Sequence, residues 1–452
     1  MTTLSIPRII APLIRRHSED AAFYWGLIDA SINAPRLSLD TVARFGDMLD
    51  AHLEGLKVAG PDGWGPCLAS LERWRKPADA FVCAHQAFTL GDAAAIDALL
   101  MQIRQRPDEL LRGVISALAW QAPVHAAAII RQWTGTNSEI IQQVAALRAA
   151  ALVDTDAAGL LGQPIEHFLD SPDSHVRTAA CRFAATVPPG VAPDVALTRC
   201  LADSAVIVRA EASIALHALG RQKAKVDEEK GIDLANTLWQ CVVGQVTAVN
   251  ESTGWYRHQA VRRLQRWVRN LATMVPLGHD KISELLDFVP ARIGLRFIAC
   301  HGDPAYLPYA IARMANPDTC RYAGWVWETI TGIDLESAAL SLPEPPLAPE
   351  DDGISDARVD ADHDLPLPDM DAIARYATAH LAPGQRTLAG QALTPAFAVA
   401  VLETAPQATR SLACQFLRLS YPQLKLSSRA QIGVQRAAIE RLRRVLVEEA
   451  LR

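Results

Sequence analysis

Apolar residues recur along this chain at the three- and four-residue spacing of amphipathic helices, and turn residues cut the pattern into short lengths. The stretch SPDSHVRTAACRFAATVPP, Ser171 to Pro189, reads as one short amphipathic helix between prolines. Thirty-two residues on, VIVRAEASIALHALG places Val208-Arg209 on Val176-Arg177. Stepping by 32 gives the column Ala87, Ala119, Ala151, Phe183 and Ala215, and a parallel column Ala84, Ser116, Arg148, Ala180 and Ala212. Small residues at a fixed period are what closely packed helices of a stacked array require. Each unit also breaks near its middle, at Gly91-Asp92, Pro123, Gly159 or Gly162, and Gly190 to Pro193, so each is predicted to be a helix-turn-helix hairpin. The pattern returns in RSLACQFLRLSYP, with Arg410, Ala413, Cys414, Phe416 and Pro422 at the spacing of Arg177, Ala180, Cys181, Phe183 and Pro189. It returns again in Asn316–Gly332, with Pro317-Asp318, Arg321 and Ala323.

The period and the Asp…Val-Arg…Ala pattern resemble the HEAT repeat. The expected fold is all-α, a HEAT-like solenoid of helical hairpins. Its recurring Arg is expected to pair with an Asp of the adjacent unit as a structural ladder. Residues 1–75 read as an N-terminal helical cap, with Ala22, Trp25, Ile28, Asp29 and Ile32 at helical spacing. Residues 76–340 read as the repeat array, with a longer, irregular helical pair at 229–275. Residues 341–370 read as an acidic, Pro-rich linker, because Leu342–Asp369 holds nine acids and six prolines against one base, Arg358. Such a segment resists regular structure. Residues 371–452 read as a last helical repeat and a capping helix.

Composition narrows the classes. Half the residues are hydrophobic and only 6% are aromatic, so the apolar content is mostly Ala and Leu, which favours helix over strand. A net charge of -6 disfavours a general nucleic-acid binder. The eight cysteines form no Cys-x-x-Cys pair, and a reducing compartment is the simple reading. The apolar run at the N-terminus is too short for a signal peptide. The longest uncharged stretch, Gly113 to Ile130, is broken by Gln121, Pro123 and His125 and predicts two buried helices rather than a membrane span. A cytoplasmic protein is expected.

No Gly-rich phosphate loop, nucleophile elbow or His-Glu-x-x-His is present, so no catalytic residue, cofactor or metal is assigned. His279-Asp280 and His301-Gly302-Asp303 read as loops in which the Asp caps a following helix. One constellation stands out. GWYRHQAVRRLQRWVRN, Gly254 to Asn270, carries Arg257, Arg262, Arg263, Arg266 and Arg269, flanked by Trp255, Tyr256 and Trp267, with no acid between Ser252 and His279. Arg262, Arg266 and Arg269 share one helical face, while Val261, Leu264, Val268 and Leu271 mark the buried seam. Basic plus aromatic suits an acidic protein partner or single-stranded nucleic acid. Trp255, Tyr256, Arg257, Arg262, Arg263, Arg266 and Arg269 are therefore the candidate partner-binding residues. The acidic linker at 344–369 is a candidate internal ligand for the same face. A helical-repeat DNA glycosylase, which works from a basic aromatic surface, is an alternative.

HLEGLKVAGPDGW (His52 to Trp64), RYAGWVWETITGIDL (Arg321 to Leu335), DHDLPLPD (Asp362 to Asp369) and RTLAGQALTP (Arg386 to Pro395) occur in this order. Together they resemble an uncharacterised proteobacterial HEAT-repeat family whose genes often sit among type VI secretion genes. The resemblance implies a cytoplasmic adaptor or chaperone-like scaffold for a secreted effector or spike-tip component. It carries no assigned functional residue. An immunity protein holding a toxin is the competing reading, and strong acidity, its usual mark, is absent.

Overall fold

The computed structural model describes residues 10–153, 159–221, 223–225, 231–344, 362, 364–378, 380–381 and 384–451. Helices account for most of them, and they fall into two compact units, Met1–Arg221 with Tyr421–Val445, and Gln222–Ser420 with Leu446–Arg452.

The first unit begins with α1 (Ala11–Ser31), α2 (Leu39–Ala59) and α3 (Trp64–Trp74), the last two joined by a 3-10 turn at Gly60–Gly63. Then follow α4 (Pro77–Leu90), α5 (Ala93–Gln105), α6 (Pro107–Trp120), α7 (Pro123–Trp133), α8 (Ile140–Ala150), α9 (Ile165–Leu169), α10 (Ser174–Ala184), α11 (Asp194–Cys200) and α12 (Val206–Ala218). Local chemistry sets these limits. Ser38, Asp92 and Asp173 cap α2, α5 and α10 by accepting backbone N–H groups. Proline opens α4, α6 and α7, where its missing N–H is not needed. Gly91 ends α4 with φ 64°, which a side chain would resist. The uncharged stretch from Gly113 to Ile130 is the end of α6 and the start of α7, and no described helix is long and apolar enough to cross a membrane.

Helices α4, α6, α8, α10 and α12 pack side by side, with α5, α7, α9 and α11 against them. Close approach between the rows' members depends on small residues. A Cβ on Gly113 of α6 would lie 2.1 Å from the Pro77 carbonyl oxygen of α4. Two arginines 32 residues apart make equivalent hydrogen bonds. Arg177 donates to the Ser171 and Pro172 carbonyls at 2.7 and 3.0 Å; Arg209 donates to those of Asp203 and Ser204 at 2.6 and 3.1 Å. Arg177 also reaches across to the Asp203 carboxylate, at 2.7 and 3.0 Å, and Arg182 reaches buried Glu211 at 2.9 Å. Burial works to raise the Asp203 carboxyl. The Arg177 hydrogen bond, the Ala205 amide and the charges of Arg177 and Arg209 outweigh it and hold Asp203 below the usual carboxylate range.

The second unit holds β1 (Lys223–Lys225), β2 (Gly231–Asp233), α13 (Leu234–Glu251), α14 (Gly254–Met274), α15 (Ile282–Phe288), α16 (Ala291–His301), α17 (Leu307–Arg313), α18 (Cys320–Thr331), β3 (Ser341–Leu342), β4 (Leu367–Pro368), α19 (Met370–Arg375), β5 (Thr387–Leu388), β6 (Gln391–Ala392), α20 (Pro395–Thr404) and α21 (Gln407–Ser420). The strands form three antiparallel pairs, β1 with β2, β3 with β4 and β5 with β6. Helices α14, α16 and α18 lie side by side. The echo at Arg410 is the most enclosed. It is fully buried, donating to the Leu402 carbonyl at 2.6 Å and to Gln407 at 2.9 Å.

Most of the acidic segment lies outside the described residues, but its two ends are tied down. β3 and β4 pair Ser341 with Pro368 and Leu342 with Leu367. Glu344 binds Arg321 at 2.7 Å, Asp362 binds Arg292, and Arg321 donates to the Leu365 carbonyl. Thus Glu344 and Asp362 pair with arginines of α18 and α16, while Asp369 caps α19 by accepting from the Ala372 N–H at 2.9 Å. The final helix α22 (Ile432–Ala450) belongs up to Val445 to the first unit, where Arg436 meets Asp40 at 3.4 Å.

Candidate functional site

The candidate site is the outer face of α14. Its inner face is the predicted seam joined by Ala260, Trp267 and Ala272. Ala260, Leu264, Trp267, Val268 and Leu271 are buried, and Val261 is partly so. Gln245 of α13 donates to the Ala260 carbonyl at 3.1 Å and so fixes the two helices against each other. Trp267, read from sequence as a flanking aromatic, is instead a core residue with no exposed surface. Helical spacing explains the difference: Trp267 follows Leu264 by three and precedes Leu271 by four, on the apolar stripe.

The seven candidate residues divide by exposure. Trp255 and Tyr256 are exposed, at 37% and 74%, and Arg257 and Arg262 are exposed with them. The Trp255 and His258 rings lie 6.1 Å apart. Arg263, Arg266 and Arg269 are partly buried. Arg269 is turned toward α21, donating to Ser411 at 3.1 Å and Gln415 at 3.4 Å, while Gln415 donates back to the Arg269 carbonyl at 2.8 Å. The face expected to carry Arg262, Arg266 and Arg269 together is therefore open at Arg262 and closed toward Arg269, because α21 reaches that end. Electrostatics mark the open end. Loss of solvent, and then the charge of Arg262, push the His258 imidazole below its ordinary value.

A second set of functional-looking residues had no sequence signal beyond the stretch RTLAGQALTP. Arg386 donates to the Ala272, Val275 and His301 carbonyls at 3.0, 2.8 and 2.6 Å, closing the ends of α14 and α16 at once. Thr387 donates its N–H to Gly302 O at 2.7 Å, and Ala389 and Gly390 donate to Thr329 and Ile330 of α18. These are the orphan carbonyls that every helix end leaves. His301 is fully buried beside Arg386, and its ring is pushed down to about 4, mainly by burial. Asp303 accepts from Ala305 N at 3.0 Å, as a cap. Among the described residues, no group of three or more His, Cys, Asp or Glu converges as metal ligands would. No protein-family model, curated protein or solved structure matches the chain.

Proposed function

We propose that the protein is a binding scaffold of the HEAT-repeat type that holds an acidic protein partner on the open end of α14. The observation that carries this reading is the joint exposure of Trp255, Tyr256, Arg257 and Arg262 on a stretch with no acid from Thr253 to Gly278. Two aromatic side chains supply contact area at low conformational cost, and two arginines supply steering and bidentate pairing with carboxylates. The resemblance to a family found among type VI secretion genes makes the partner a secreted effector or spike-tip component, and the role that of a cytoplasmic adaptor. An immunity protein would use the same surface to hold a toxin. The adaptor reading is preferred because the chain lacks strong net acidity.

The test is capture of partners from the native bacterium by the tagged full chain and by a Trp255→Ala/Tyr256→Ala/Arg257→Glu variant, at low and high salt. One effector or spike component retained by the wild type, lost by the variant and weakened by salt supports the reading. Nucleic acid as the only co-purifying species overturns it in favour of the glycosylase-like alternative.

A further inference from the structure

Helices α1 and α2 pack against each other in the first unit, and each offers one imidazole to the other. On α1, His17, Asp20 and Tyr24 follow at i, i+3 and i+7; on α2, His52 and Gly55 follow at i and i+3, so each set shares a helical face. His17 Nδ1 and His52 Nδ1 stand 3.0 Å apart, with ring centroids 5.2 Å apart and 59° between the planes. Neither ring is sealed from solvent. Both residues are half-buried, and the His52 side chain keeps 16% of its surface. We propose that His17 and His52 form an exchangeable site for a divalent metal ion of the copper and nickel class, which clamps α1 to α2.

Three features build the site. The first is the spacing of the nitrogens. Imidazole binds such ions at about 2.0–2.1 Å, so two nitrogens 3.0 Å apart subtend about 90–95° at a shared ion. A tetrahedral pair would stand about 3.3 Å apart, whereas a right angle belongs to neighbouring positions of the tetragonal geometry that copper and nickel take. The second is what holds His17. A Cβ on Gly55 would lie 2.9 Å from its Cε1 and Nε2, so glycine leaves the room in which the ring rests against α2. The third is what orients His52. Its ring stacks on Tyr24, with centroids 5.7 Å apart and 17° between the planes. Its other nitrogen, Nε2, faces the Asp20 carboxylate at 3.9 Å. Asp20 also meets Arg16 at 3.0 Å, which answers the one cation paired beside the site. A carboxylate on the Nε2 side favours the proton there and leaves the Nδ1 lone pair to bind, as in metal-bound histidines.

Without metal, one Nδ1–H donates to the other Nδ1, and His52, with its proton on Nε2, is the acceptor. Binding moves the His17 proton from Nδ1 to Nε2 through solvent. Each ring then presents a lone pair, and no net proton is lost. Two donors are fewer than the three or four of a resident zinc site. Water fills the remaining positions, so the ion exchanges with solution.

The untagged full chain is titrated with Ni2+ by calorimetry at constant neutral pH, beside His17→Ala, His52→Ala and Gly55→Ala. The wild type is expected to bind one ion and to melt at a higher temperature with it, because the ion binds the folded α1–α2 pair and not the separated helices. Either histidine variant should lose both effects; His17→Gln or His52→Gln replaces an alanine variant that does not fold. Gly55→Ala keeps both imidazoles but displaces the His17 ring, and should weaken binding by about tenfold or more. No binding by the wild type overturns the proposal. So does binding that survives undiminished in either histidine variant, or a Gly55→Ala affinity equal to that of the wild type.

Discussion

Burial makes several histidines of the folded chain resist protonation. Burial holds His85 and His301 down to about 4, and His52 below its ordinary value, with neighbouring positive groups adding to the effect. The unfolded chain takes up these protons near pH 6.5, whereas the folded chain resists them until about pH 4. The unfolded state therefore binds more protons as pH falls. Stability is undiminished above about 6.5 and declines from there toward 4, by at most about 3 kcal/mol for an imidazole held near 4. Chemical denaturation at pH 7.5, 6 and 5 should show the midpoint falling with pH. Replacing His301 with Asn should flatten that dependence. At the candidate site, Arg262→Ala removes one of the two causes that lower His258. Its imidazole should then titrate closer to 6.5 in an NMR pH series, while the partner's affinity falls.

The helical elements were legible in the sequence where caps and periodic apolar residues coincide. The apolar spacing between the prolines predicts α10, and in the structure Asp173 caps it by accepting from the His175 and Val176 N–H groups. One Arg–Asp pair of the kind expected of a ladder was legible too, Arg177 with Asp203, 26 residues apart. Arg177→Ala should cost about 3 kcal/mol, since it strands the enclosed Asp203 carboxylate as well as two carbonyls. Asp203→Asn should cost less, because Arg177 keeps Ser171 and Pro172. Urea titration of both variants checks the order. What was not legible is the role of Arg386. A lone Arg in a loop has no period, and its carbonyl partners at 272, 275 and 301 are 85 to 114 residues away. Arg386→Lys should lower the melting temperature nearly as much as Arg386→Ala. One ammonium cannot span carbonyls that a planar guanidinium meets from two nitrogens. The exposure of the candidate face was half legible: helical spacing placed the arginines, but the reach of α21 to Arg269 joins residues 142 and 146 positions apart.

Across the whole molecule, the sequence shows a chain of helices in order and says little about which distant segments return. The first unit includes Tyr421–Val445. Arg429 shares Asp29 of α1 with Arg112 of α6. Gln431 donates to the Trp120 carbonyl at 3.1 Å and Lys425 to that of Val153 at 3.0 Å. Polar side chains meeting backbone carbonyls leave no pattern in sequence, so α22 reads there only as an amphipathic helix of unknown neighbour. Those contacts also impose an order in time. During synthesis, the helices up to Arg221 emerge long before residues 421–445, and until those arrive the Trp120 and Val153 carbonyls are without Gln431 and Lys425. Local hairpins can form as they appear, but the final closure of the first unit has a high contact order and must be slow relative to them. A nascent chain stalled before Tyr421 should be digested within the first unit by a protease that spares the full chain. The first unit is thus exposed to proteolysis during the interval on the ribosome before residues 421–445 return to it.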